Sequence, residues 1–164
     1  MRRMSDGVEA ALHSALVLAG LPRGKVLAGK SLAELHGVSG SYLLKHLRAL
    51  AAASLIEAVP GPRGGYRLAR APERITLLDL VEAIDGPEPA FVCREIRRRG
   101  PGKAKDPCVY KTDCFIKTRM LAAEQAWRSA LRGQTLQDLV TDGERLIDEH
   151  NKAAVARFVA AEQR

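Results

Sequence analysis

Between Ser31 and Arg70 the chain offers a short helix, a tight turn, a second helix and two strands in immediate succession, an order that few folds accommodate. Ser31 can cap a helix through LAELHG, and Gly37, Val38 and Ser39 make a turn. SYLLKHLRALAAA follows, with Leu43, Leu47 and Leu50 at helical spacing as a buried stripe. Helix, turn, helix is the order of a helix-turn-helix. SLIEAV and GYRLAR then alternate apolar and polar residues across the loop PGPRGG, which predicts a β-hairpin with Arg63 at its tip. Such a hairpin is a wing.

The flanking segments are helical in pattern. Ser5 or Asp6 can cap a first helix carrying Val8, Leu12, Ala15, Leu16 and Ala19, stopped by Gly20, Pro22 and Gly24. Thr76 can cap ITLLDLVEAIDG, in which Leu77, Leu80, Val81 and Ile84 are periodic and Gly86 with Pro87 ends the run. Residues 87–113 are irregular, with prolines and glycines scattered among basic residues, and all three cysteines lie in or beside them. From Asp113 a long helix is expected to about Arg132, striped by Ile116, Met120, Ala123, Trp127 and Leu131. That stripe suits pairing with its copy in a second chain. The last stretch, from Thr135, is expected to break at Gly143 and to fray at its end.

The 164 residues carry 26 Lys and Arg against 19 Asp and Glu, a net charge of +7. Residues 1–75 hold 11 bases against 5 acids and residues 94–119 hold 9 against 3, so the excess sits in two zones. It favours a polyanionic partner without naming one. Arg2 and Arg3 precede an apolar stretch, but Glu9 and His13 interrupt it and no small-residue cleavage site follows. No later segment approaches a membrane span. A soluble, cytoplasmic chain with no membrane partner is the expectation. An odd number of cysteines in that setting argues for a metal, a reactive thiol or burial rather than a disulfide framework. A phosphate loop, a nucleotide-binding glycine fingerprint and an evident nucleophile-base pair are all missing, so an enzyme is not expected.

The runs SLAELHGVSGSYLLKHLRAL, PGPRGGYRLAR and ITLLDLVEAIDGP, followed by a cysteine-bearing loop and a long helix ending in TLQDL, resemble the Rrf2 family of bacterial regulators over roughly residues 5–140. The resemblance implies a homodimer of winged helices crossed through long helices on a partly palindromic operator. Several family members hold a cluster in the loop before the long helix, and others lack one. The expected architecture is mostly α with a small β-wing. A winged helix-turn-helix DNA-binding domain spans 1–86, a cluster-binding loop 87–113, and a dimerisation helix with a C-terminal helical region 114–164.

The second helix of a helix-turn-helix enters the major groove by its N-terminal part, which selects Ser39, Ser41 and Tyr42, with Lys45 and His46 one turn on. Serine and tyrosine discriminate bases weakly, so much specificity is expected from Arg63, which can enter a narrow A·T-rich minor groove. Lys25, Lys30 and Arg67 are candidate phosphate contacts.

Cys108 and Cys114 have five residues between them, and Cys93 lies fifteen upstream of Cys108. Thiolates suit iron-sulfur clusters or zinc, and the absence of CxxC pairs weakens zinc. Family cluster proteins place three cysteines close together, whereas Cys93 sits far back in AFVCREI, an apolar setting where a cysteine is more often buried than ligating. It is the weaker candidate. Two cysteines leave a 2Fe-2S cluster two ligands short. Glu9 and His13 share one face of the first helix, and some family members borrow a carboxylate from the partner's first helix. The resulting expectation is a 2Fe-2S cluster on Cys108 and Cys114 of one chain and Glu9 and His13 of the other, sensing redox. A cluster-free regulator using a thiol switch, zinc or a small metabolite is the alternative.

Overall fold

Leucines at helical spacing close a core drawn from segments far apart in sequence. The computed structural model describes residues 4–164; Arg2 and Arg3 lie outside the described residues. Two units are formed, one from residues 4–87 with 131–164, the other from 88–130.

In the larger unit, α1 (Asp6–Ala19) buries Val8, Ala11, Ala15 and Leu18. α2 (Gly29–Leu35) and α3 (Gly40–Ala52) form the helix-turn-helix, and Leu43, Leu47 and Leu50 of α3 are fully buried as their spacing predicts. Ser39 starts α3 by accepting the Tyr42 N–H at 3.2 Å. α4 (Leu77–Asp85) opens with the expected Thr76, whose hydroxyl accepts from Asp79 N–H while the Asp79 carboxylate accepts from Thr76 N–H. Ser5 flanks α1 without capping it; its N–H and hydroxyl both donate to the Asp85 carboxylate, at 3.0 and 2.6 Å, fastening the start of α1 to the end of α4.

The wing is an antiparallel pair, β1 (Ile56–Val59) and β2 (Gly65–Leu68), in register from Ile56 opposite Leu68 to Val59 opposite Gly65. Its loop requires glycine at position 64, where a Cβ would stand 2.1 Å from the Val59 carbonyl oxygen. On the other edge of β2, Leu27 and Tyr66 exchange both backbone hydrogen bonds, at 3.0 and 2.8 Å.

Four expectations change. Ser31 is not a cap: α2 begins two residues earlier, and the Ser31 hydroxyl is buried and donates to Glu162 at 2.6 Å. Gly143 does not end its helix. α6 (Leu136–Leu146) runs through it, because an interior glycine costs only about 1 kcal/mol. The break comes at Ile147, beyond which Asp148 caps α7 (Glu149–Glu162) by accepting the Asn151 N–H at 3.0 Å. Nor does the chain regroup at residue 114, since residues 131–164 fold with residues 4–87. Leu136 is fully buried in their common core, and Leu77 N–H donates to Gln134 O and Leu136 N–H to Ile75 O, at 2.9 and 2.8 Å. The end of α7 is not frayed either, for Arg164 and Val26 exchange backbone hydrogen bonds.

The smaller unit has little regular structure before α5 (Phe115–Arg132): two 3₁₀ turns, at Ile96–Arg98 and Pro107–Tyr110. It is tied by polar contacts. Tyr110 donates to Arg97 O at 2.9 Å, and the Arg97 and Arg98 guanidinium groups lie 5.4 and 5.2 Å from its ring centre. No residue of α5 is buried, and Phe115, Ile116 and Met120 are exposed apolar groups on it. Among the described residues no helix is long and apolar enough to cross a membrane.

Shortening Leu136 to alanine should cost about 2–5 kcal/mol in denaturant unfolding, whereas Leu146→Ala, at a 71% exposed position, should change it by less than about 0.5 kcal/mol.

Candidate functional site

With Leu43, Leu47 and Leu50 turned inward, α3 leaves Ser41, Lys45 and Arg48 exposed. Their spacing of four and three residues lines them along one side of the helix. Arg48 was not among the groove residues read from sequence; the same periodicity identifies it once the buried side is fixed. Ser39 is exposed, but its hydroxyl is occupied by the Tyr42 N–H, so it sets the start of the helix. Tyr42 is half-buried.

His46 leaves the predicted set. It is 8% exposed, with its ring edge-on to Tyr42 at 4.7 Å, and it lies so close over Gly7 of α1 that a Cβ there would be 2.3 Å from the imidazole. Among the described residues its Nε2 is buried without a hydrogen-bond partner. Burial first, then the Lys45 charge, hold its pKa below the ordinary 6.5, against a smaller upward pull from Asp85. The ring is therefore a neutral packing group between α1 and α3, not a groove contact.

On the wing, Arg63 is exposed at the tip. Arg67 is engaged by the cross-strand Glu57 carboxylate through Nε at 3.0 Å and Nη2 at 3.2 Å, which raises its pKa and lowers that of Glu57. A phosphate there has to compete with a carboxylate. Arg70 caps the end of α3, donating to Ser54 O and Ala53 O at 3.1 and 3.3 Å. Lys25 and Lys30 are exposed.

Glu9 and His13, expected on one face of the first helix, line one cleft of about 580 Å³ together with Asp6, Ala10, His36, Val38 and Tyr42. His36 stands beside His13, ring centres 5.8 Å apart, and its pKa is lowered by burial and then by His13.

In the smaller unit, Cys114 directly precedes α5 and is 8% exposed. The backbone N–H of Lys117 acts on its sulfur most, followed by the N–H of Ile116, the Arg97 charge and the Cys93 thiol. Together these lower its pKa against burial. Cys93 is half-buried and donates to Glu95 at 3.9 Å, and Glu95 in turn holds Arg97 at 2.7 Å. Cys93 is thus engaged by a carboxylate rather than enclosed by the apolar residues of its sequence setting. Cys108 is exposed on the second 3₁₀ turn. Among the described residues no three His, Cys, Asp or Glu side chains converge within one chain to hold a metal ion.

The family model described as Rrf2, an iron-dependent transcriptional regulator, matches residues 4–142. The chain belongs to the Rrf2 family. It is 30% identical to YwgB of Bacillus subtilis, described as an HTH-type transcriptional regulator, over 84% of either chain. It is 26% identical to the HTH-type transcriptional regulator NsrR of Shouchella clausii, over 98% of this chain and 99% of NsrR. The solved structure of CymR, the global cysteine regulator of B. subtilis, superposes with a TM-score of 0.62 at 25% identity, covering 86% of this chain and 98% of CymR. IscR of T. potens, at 22% identity, has the same fold with a TM-score of 0.65, over 90% and 93% of the two chains. This Rrf2-family chain is a winged-helix, DNA-binding transcription regulator.

In this Rrf2-family head the buried His46 predicts a pH dependence. The folded state holds it neutral, so the unfolded chain binds the extra proton, and its contribution is complete above the unfolded pKa and declines as pH falls below 6.5. The unfolding midpoint should drop between about pH 7.5 and about pH 5.5, and thermal scans of His46→Phe should show a smaller drop.

Proposed function

We propose that the protein is a homodimeric regulator whose grip on a partly palindromic operator is set by a 2Fe-2S cluster, with redox state as the signal. The proposed ligands are Cys108 and Cys114 of one chain with Glu9 and His13 of the partner subunit, and Cys93 is a weaker, third candidate thiolate. The observation that carries the reading is the setting of Cys114, a buried cysteine directly before the first turn of a long helix, where the backbone N–H groups of the helix start and the Arg97 charge lower its pKa. Those groups stabilise a thiolate, the form that ligates metal. The donor chemistry fits the cluster.

A bound cluster would supply a one-electron couple whose potential histidine ligation raises and links to protonation. The exposed Phe115, Ile116 and Met120 on α5 supply apolar surface for pairing two copies. Ser41, Lys45 and Arg48 then read or anchor in successive major grooves while Arg63 enters the minor groove, so any change in the angle between the two heads changes affinity.

A thiol-based reading has its own support in the lowered pKa of Cys114, in the three free cysteines and in the similarity to CymR, a cysteine regulator. Anaerobic purification separates the two. Visible absorbance with iron and labile sulfide, lost in Cys114→Ser, supports the cluster; a colourless protein whose DNA binding responds to oxidant supports the thiols. Light scattering should give twice the chain mass. At fixed salt, Arg63→Ala should weaken operator binding by about 1–3 kcal/mol, and unchanged affinity removes Arg63 from the interface.

A further inference from the structure

The family match ends at residue 142, yet α7 beyond it is fastened to the wing. Val159 of α7 packs on the core beside α2, and the Glu162 carboxylate accepts from the buried Ser31 hydroxyl of α2 at 2.6 Å. Arg164 and Val26 exchange both backbone hydrogen bonds, at 3.1 and 3.0 Å. Leu27, next to Val26, makes the same exchange with Tyr66 of β2. Successive residues of an extended strand direct their backbone groups to opposite sides, so residues 26 and 27 join Arg164 on one side to the wing on the other. The Arg164 guanidinium closes the path by donating to Pro62 O, one residue from Arg63, at 2.9 Å.

We propose that residues 159–164 are a strap that holds the wing loop in place, with Glu162 and Arg164 as positioning residues for Arg63 in operator recognition. The loop PGPRGG has an internal hydrogen bond from Gly64 N–H to Gly61 O, and Arg164 gives it a point of attachment outside the hairpin. An arginine that must enter a minor groove loses less freedom on binding when its loop is already ordered. The inference rests on Arg63 reading DNA, and the test keeps the two apart.

Glu162 gives the sharper variant, because electrostatics and positioning demand opposite signs. Removing an acid from a DNA-binding head strengthens the attraction to phosphates. If Glu162 anchors the strap, Glu162→Ala instead weakens operator binding, by about three- to tenfold, a part of what Arg63 supplies. Arg164→Ala, at an exposed position, should lose a similar factor with the slope of log affinity against log salt unchanged. Both losses should disappear in an Arg63→Ala background and on DNA lacking the operator. Fluorescence anisotropy at several salt concentrations reads all of this, with thermal unfolding to confirm that each variant is folded.

Tighter or unchanged binding by Glu162→Ala overturns the strap. So does a fall of about 0.9 in the salt slope for Arg164→Ala, which would make Arg164 a direct phosphate contact. If Glu162→Ala does not fold, Arg164→Ala decides alone. An Arg63→Ala variant with full affinity would instead defeat the reading of Arg63, whereas a weakened Arg63→Ala beside unaffected strap variants would defeat this inference alone.

Discussion

A helix can offer Ser41, Lys45 and Arg48 to a groove only while its opposite side is held, and Leu43, Leu47 and Leu50 hold it. These three leucines have no access to solvent and meet residues of α1, α4 and the wing in one core. Each such side chain contributes roughly 1.5–3 kcal/mol by leaving water. Rotating the helix about its axis would expose them together. The exposed face therefore has one orientation, and the rest of the head is arranged around it: His46 fills the gap to α1, Arg70 closes the far end of α3, and Ser39 fixes the near end.

The wing depends on a second constraint, the continuity of backbone pairing. Two strands of four residues are marginal alone. Leu27 adds a pair on the free edge of β2, and Arg164 adds another beyond it. The result is a small sheet assembled from three regions of the chain, so the hairpin is carried by the head rather than projecting from it unsupported.

Local signals in the sequence were enough for the elements that local chemistry decides. The leucine stripe of α3, the Thr76 cap, the hairpin register around PGPRGG and the length of α5 each follow from spacing or turn residues within a dozen positions. What was not legible depended on partners distant in sequence. Ser31 has the composition of a cap, but Glu162, far along the chain, claims its hydroxyl. His46 has the helical position of a groove residue, and only the missing side chain at Gly7, which admits the imidazole, shows that it turns inward. Gly143 has the look of a helix stop, but Asp148 supplies the stronger signal five residues later by capping the next helix. The candidate site divides along the same line. Glu9 and His13 share a cleft as their spacing of four requires, while the engagement of Cys93 and Arg97 by Glu95 in an irregular segment follows no periodic rule.

Net charge gives a related lesson about the two basic zones. In the head, Lys25, Lys30, Lys45, Arg48 and Arg63 are exposed, and their charge is available to phosphates. In residues 94–119 the excess is as large, but Arg97 is bound to Glu95 and to Thr112 O and lies with Arg98 against Tyr110, while Lys117 pairs with Asp113. Arg97 also raises the share of thiolate at Cys114. Arg97 and Lys117 thus balance Glu95 and Asp113, so the excess of this segment rests on its other bases, a positive setting that would favour the negative charge of thiolates, or of a cluster carried on them.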